Sequence, residues 1–356
     1  MATQAENIAD LVVSTITKYE KRGVVDLYQT LQSYKARSVI GKMKQEECPS
    51  HTYAWNVVVA SNNAAEMVGL GATGNPTIAN LQAQASVNFK RARTHWAYDD
   101  EEMSLNDGGE TRIVNMIKVR QMDAMRDLAD IMERQWWGRP SGTSDDLSMF
   151  GIKYWLVQNA TSGFNGSVPG GGYTTVAGLN PTTHTTWRNY TGAFAAVDIA
   201  NFVNLLDEAS YKCDFEPPVE FANIGGAGEL KHAYYTTFET QRAMTRLMET
   251  RQDNIGPESA PDLGRYFGKG VYRNVPVIAV PYLDNNTSNN PFYGISFDTW
   301  KYMYNPGWKQ KTYRPEKDPN QPTMNVVWVY SQGNFVCINR RRNFVLYNST
   351  SGSADT

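Results

Sequence analysis

His51, His95, His184 and His232, with Cys48, Cys213 and Cys337, are the side chains in this 356-residue chain best suited to ligate a metal or attack a substrate. None stands at a ligand spacing. HxH, HExxH and CxxC are all missing, so neither a metal site nor a disulfide framework is predicted, and scattered thiols fit a reducing compartment. Gly69-Leu70-Gly71-Ala72-Thr73-Gly74 has the glycine content of a phosphate loop, but no Lys-Ser/Thr follows it and no helix stands ready for an anion; it reads as a hairpin tip. Gly225-Gly226-Ala227-Gly228 lies between a predicted strand and a predicted helix without the GxGxxG spacing, and reads as helix initiation. Asp145 with Asp146, and Asp207 with Glu208, are adjacent carboxylates that point apart, unlike the facing pair of a glycosidase. No GxSxG elbow is present. The Arg340-Arg341-Arg342 run follows a predicted strand and keeps two readings, a surface for nucleic acid or an acidic neighbour, and a structural ion pair. No catalytic residue, cofactor site or metal site is predicted.

Composition narrows the class. Hydrophobic residues make 41% and charged residues 20%, an ordinary globular balance, and the net charge of -2 excludes the global basicity of a protein wrapped along nucleic acid. Twenty Tyr, 13 Phe and 9 Trp supply either a large aromatic core or protein contact surfaces. No apolar run is long enough to span a membrane, and Glu6 and Asp10 stand where a secretory leader needs basic and then apolar residues. A soluble protein made in the cytoplasm is expected. The Asn-x-Ser/Thr triplets at Asn159, Asn165, Asn189, Asn286 and Asn348 then read as loop chemistry.

The elements that would position any surface begin with Glu110 to Trp137. Ile113, Met116, Ile117, Ala124, Met125, Leu128, Ile131 and Met132 recur at three- and four-residue intervals, which predicts a helix stopped by Gly138 and Pro140. Upstream, two short amphipathic patterns over residues 7–37 read as an N-terminal arm too short to stand alone. Tyr53, Trp55, Val57 and Val59 alternate within a predicted strand, His51 to Ala60, and a second run follows from Ser86 to Trp96. Two strands are marginal in water, so something outside this hairpin is expected to cover it. Lys90, Arg91 and Arg93 on its second strand, and Asp99, Asp100, Glu101 and Glu102 just beyond, keep two readings, pairing with complementary patches on a neighbouring subunit and a solvated charged surface loop. After the long helix come an apolar segment, Phe150 to Gln158, and a Gly/Thr/Ser/Asn-rich stretch, Asn159 to Thr186, read as a domain junction. A helix over Ala196 to Tyr211, a strand at Val219 to Ile224, a helix from Gly226 to Glu249, and strands at Val275 to Val280 and Phe292 to Phe297 follow. Met324 to Tyr330 and Phe335 to Asn339 are predicted to form a hairpin turned at Ser331 to Asn334, continued by Phe344 to Tyr347. This is an α+β chain.

The order of these elements resembles the major capsid proteins of tailed bacteriophages, the Hong Kong 97 type. The phrases that carry the resemblance are Phe150-Gly151-Ile152-Lys153-Tyr154-Trp155-Leu156-Val157, Gly178-Leu179-Asn180 before Trp187-Arg188-Asn189, Tyr272-Arg273-Asn274-Val275-Pro276-Val277-Ile278 before Tyr293-Gly294-Ile295-Ser296-Phe297, and the closing Asn334 to Tyr347. The resemblance implies an N-terminal arm over 1–49, an extended loop over 50–109, a peripheral domain over 110–196 with a spine helix at 110–137, an axial domain over 197–311, and return strands and tail over 312–356. It further implies a non-enzymatic shell protein that associates with itself as pentamers and hexamers of an icosahedral virion. A separate scaffolding protein, a portal, decoration proteins and non-specifically held double-stranded DNA would be its partners, with no membrane. A bacterial encapsulin shares that fold, and the Trp and Tyr content alone also fits a carbohydrate-active or carbohydrate-binding protein.

Overall fold

The computed structural model describes residues 34–62, 65–69, 80–101, 110–213, 232–252, 271–272 and 275–354. The arm pattern before Tyr34, the glycine loop beyond Gly69, and the predicted strand Val219 to Ile224 with its glycines lie outside them.

A short helix, α1 (Lys35–Lys42), leads into β1 (Lys44–Glu47), β2 (Thr52–Val58), β3 (Gln82–Asn88) and β4 (Lys90–Asp99). The long helix α2 then runs Glu110–Trp137, as its periodicity predicts, a rod of about 42 Å. Ala124 and Leu128 are buried on one face against Trp96, Val327 and Val329, and at its end Trp136 and Trp137 are wholly buried. The Trp136 ring lies edge-on to Trp300 and Phe335, 5.0 and 4.9 Å between centroids. That end is closed by a tight approach: a Cβ on Gly151 would stand 2.1 Å from the Gln135 carbonyl oxygen and 2.4 Å from that of Gly138. Gly151→Ala is therefore expected to destabilise the fold by about 1–3 kcal/mol through forced backbone shift. An unchanged urea midpoint would count against this account of the helix end.

Beyond α3 (Ile152–Trp155) come β5 (Gly163–Gly166), β6 (Asn189–Phe194), a π turn at Ile199–Val203, and α4 (Asn204–Cys213). Then follow β7 (His232–Thr236), α5 (Phe238–Gln252), β8 (Val271–Tyr272), β9 (Val275–Ala279), α6 (Pro281–Asn286), β10 (Phe292–Ser296), β11 (Trp300–Thr312), β12 (Glu316–Asp318), β13 (Gln321–Cys337) and β14 (Phe344–Asn348). Two large sheets result. One has the order β1-β11-β13-β12, with β4 along the other edge of β13; the second runs β5-β6-β14-β10-β7-β9-β8. Tyr190, Phe194, Phe202, Phe292 and Phe344 form the core of the second, while Trp136, Trp155, Trp300 and Phe335 centre the first.

Four expectations are corrected. Gln321–Cys337 is one uninterrupted strand rather than a hairpin. Its Gly333 is not a turn residue: a Cβ there would lie 2.5 Å from the Tyr302 hydroxyl and 2.7 Å from the Met303 carbonyl, so the glycine admits β11. Asn334 uses its side chain to accept from the Phe150 N–H and donate to the Asn88 carbonyl. Of the helix expected over Gly226 to Glu249, the described part from His232 to Thr236 is instead a strand between β10 and β9, and the helix there opens at Phe238, whose N–H donates to Asp284 at 2.7 Å. The predicted second strand from Ser86 breaks at the buried Phe89, so that β3 pairs with β2 and β4 pairs with β13. Asn189, read as loop chemistry, is a fully buried strand residue.

The arginine run departs furthest from expectation. Arg340 and Arg342 are buried, and only Arg341 reaches outward, over the Phe164 ring. Arg340 donates to the carbonyls of Trp155 (2.7 Å), Trp187 (3.0 Å) and Ser167 (3.0 Å) and to the Asn189 side-chain oxygen (3.0 Å). Among the described residues no carboxylate pairs with it, so its role is a hub of carbonyls and not an ion pair. Desolvation holds its pKa down to about 10, which leaves it charged at neutral pH.

Candidate assembly surface

Among the described residues no group of His, Cys, Asp and Glu could hold a metal ion, and no helix is long and apolar enough to cross a membrane. The β2–β3 hairpin was expected to lack cover, yet one of its faces lies on its own chain. Tyr53, Trp55 and Val57 are half-buried against the main core, with Tyr53 stacked on Trp55 at 5.5 Å and Trp55 against Trp155 at 6.4 Å. Val59 closes the ladder, its N–H donating to the Leu81 carbonyl and its own carbonyl accepting from the Thr186 hydroxyl. Further out, Met67 and Val68 are exposed, at 104% and 65%.

The charges of β4 already have intrachain contacts. Lys90 reaches Asp146 at 3.6 Å, with Phe150 beneath its ammonium; Arg91 lies over Trp308 and Arg93 over Trp328. At the other end Asp99 accepts from Thr323 and from the Glu101 N–H, and Asp100 meets Lys317 at 3.3 Å and Asn325 at 2.6 Å. Glu102 lies outside the described residues. Trp308 and Trp328, which complete this surface, were not singled out from the sequence; the alternation of Trp328 and Tyr330 with the buried Val327 and Val329 is a signal for Trp328, and none marks Trp308.

The loop that presents Asp146 to Lys90 is tied by Asp145, whose carboxylate accepts from the Ser141, Ser148 and Leu147 N–H groups at 3.1, 3.1 and 3.2 Å. These bonds, that of Ser141 foremost, hold its pKa at about 2. A depressed carboxyl pKa contributes stability that is present above the unfolded value of about 3.9 and lost as pH falls toward the folded one. An NMR titration of this carboxyl is expected to show a midpoint near 2; a midpoint near 4 would mean that the loop does not hold it.

Sequence comparison finds neither a matching protein-family model nor a matching curated protein. Comparison of structures does find relatives. The chain is similar to the capsid of cyanophage A-1(L), with a TM-score of 0.64 and 14% identity over 95% of this chain and 99% of that one. The capsid of Myoviridae phage XM1 follows at 0.56 and 10% identity, covering 98% and 99%, and a Mycobacterium phage Bobi chain at 0.51 and 8%, covering 98% and 99%. The fold is thus the Hong Kong 97 type, across nearly the whole chain.

Proposed function

We propose that this chain is the major capsid protein of a tailed double-stranded DNA bacteriophage, assembling with copies of itself into the icosahedral head. What supports the reading above all is coverage: the match takes in 99% of the cyanophage capsid chain and 95% of this one. The succession of arm (1–49), extended loop (50–109), peripheral domain on the long helix (110–196, with the return strands of 312–356) and axial domain (197–311) fits that role. So do the aromatic cores of the two large sheets, which suit a protein whose work is geometric.

In this reading the hairpin bearing Tyr53, Trp55, Val57 and Val59, and the charged β4 with Lys90, Arg91, Arg93, Asp99, Asp100, Glu101 and Glu102, lie at subunit contacts. Scaffolding, portal and decoration proteins and packaged DNA are its partners, and the virion, built in the host cytoplasm, is its location. Because Tyr53 and Trp55 rest on their own core, the exposed Met67 and Val68 are the cleaner probes of the hairpin's contact. Met67→Asp with Val68→Asp is expected to leave monomer melting unchanged while abolishing shells; normal shells would remove the hairpin tip from the interface. Expression with the scaffolding protein, followed by negative-stain microscopy, tests the function itself. DNA-competent icosahedral shells are expected. A chain that stays monomeric, binds sugar, or encloses an enzyme cargo instead overturns the reading.

A further inference from the structure

Beyond the shell role, and resting on it, we infer that the outer face of β4, β13 and β11 is a docking surface for the acidic run that follows β4 in a second copy of this chain. The inner face of these strands packs on α2 through Trp96, Val327 and Val329. The outer face carries Arg91 and Arg93 from β4, Trp328 and Tyr330 from β13, and Trp308 and Lys311 from β11, brought side by side by the pairing of Arg93 with Tyr330 and of Tyr330 with Lys311. Arg91 lies 5.3 Å from the centre of the Trp308 ring, Lys311 4.8 Å from the same ring, and Arg93 5.1 Å from Trp328. The three cations are exposed and the three aromatic residues half-buried. Among the described residues none of Arg91, Arg93 and Lys311 has a carboxylate partner.

The chemistry of the occupant follows from this arrangement. The cations of this chain already sit over the indole rings, which leaves little ring surface for stacking a base, whereas their N–H groups remain able to donate to a carboxylate. The matching charge is in the same polypeptide. Asp99, Asp100, Glu101 and Glu102 form a run of four acids, so every copy that brings a basic face brings an acidic one in equal number. Arg91 and Asp99 stand eight residues apart on one extended strand, about 26 Å. A copy cannot bring its own Asp99 onto its own Arg91, but a neighbour can. Such pairing sets which surfaces meet, and in what register, more than how tightly.

Charge exchange tests the inference. Arg91→Glu with Arg93→Glu, and separately Glu101→Lys with Glu102→Lys, are each expected to lower the assembled fraction by about tenfold or more at low salt, while circular dichroism and melting of the monomer stay as in the parent. The four substitutions together are expected to restore shells. Arg91→Gln with Arg93→Gln, a milder change, is expected to fall between. Normal assembly of either charge-reversed pair overturns the inference while leaving the shell role intact, and failure of the parent chain to assemble overturns the shell role instead. Failure of the fourfold variant to recover would deny the acidic run as occupant. Normal shells that no longer retain DNA would assign the face to nucleic acid and equally overturn it.

Discussion

Arg340→Met is expected to be recovered mostly insoluble, and any soluble fraction to unfold at a much lower urea concentration. The methionine fills much of the volume but donates nothing, so the carbonyls of Trp155, Ser167 and Trp187 lose the donor that Arg340 supplies. Asn189 keeps the Val157 N–H at 3.1 Å. A buried polar group left without its bond costs about 1–3 kcal/mol, so three of them approach the total stability of many domains, about 5–15 kcal/mol. Arg340→Lys retains the charge with three donors on a point rather than a planar fork, and is expected to fall between the two. The soluble yields of the two variants and their denaturation midpoints decide the matter. If the methionine variant matched the parent, the carbonyl hub would have no energetic role.

The second large effect is at Glu133, which is 1% exposed near the end of α2. Its carboxylate accepts from the Lys35 N–H at 3.2 Å, the Ala36 N–H at 2.6 Å and the Trp137 indole N–H at 2.7 Å. The first two are N–H groups that open α1, where the preceding Tyr34 supplies no side-chain cap; a residue some hundred positions later does so. Glu133→Ala strips all three donors at once, and since a hydrogen bond to a charged group contributes about 1.5–3 kcal/mol, a loss above about 3 kcal/mol is expected. Because α1 buries only Ala36 and Val39, the first consequence is its release, seen as faster tryptic cleavage at Lys35 and Arg37. Unchanged cleavage would show that α1 is held by its apolar contacts alone. Burial raises the Glu133 pKa above the usual carboxylate value despite these bonds. A raised carboxyl pKa favours the folded state increasingly as pH falls through it, so the parent should gain stability relative to Glu133→Gln on acidification toward about 4.5. A gap that stays flat with pH would contradict the burial of this group.

Legibility from the sequence followed the range of the forces involved. The α2 helix, β2, β9 and β10 were readable because an amphipathic period is written in neighbouring residues and survives in any tertiary setting. The overall class was readable from the order of such elements. The charged residues of β4 were legible in type but not in partner: Arg91 and Arg93 are visibly basic, yet nothing local says that each would lie over a tryptophan more than 200 positions away. Glu133, an ordinary polar position on the helical pattern, gave no sign of its burial.

By itself, then, the amino-acid order determined the long helix, the alternating strands, the mixed α and β class and the lack of any recognisable catalytic spacing. Only the tertiary structure decided that Gly333 and Asn334 continue β13 instead of turning it, that Arg340 faces inward, and that β3 and β4 serve different sheets. The reason is physical. A helix or strand tendency is settled within a few residues, whereas register, burial of a charge and the partner of a glycine are settled by atoms that folding brings from distant parts of the chain, here Tyr302 against Gly333 and Trp155 against Arg340.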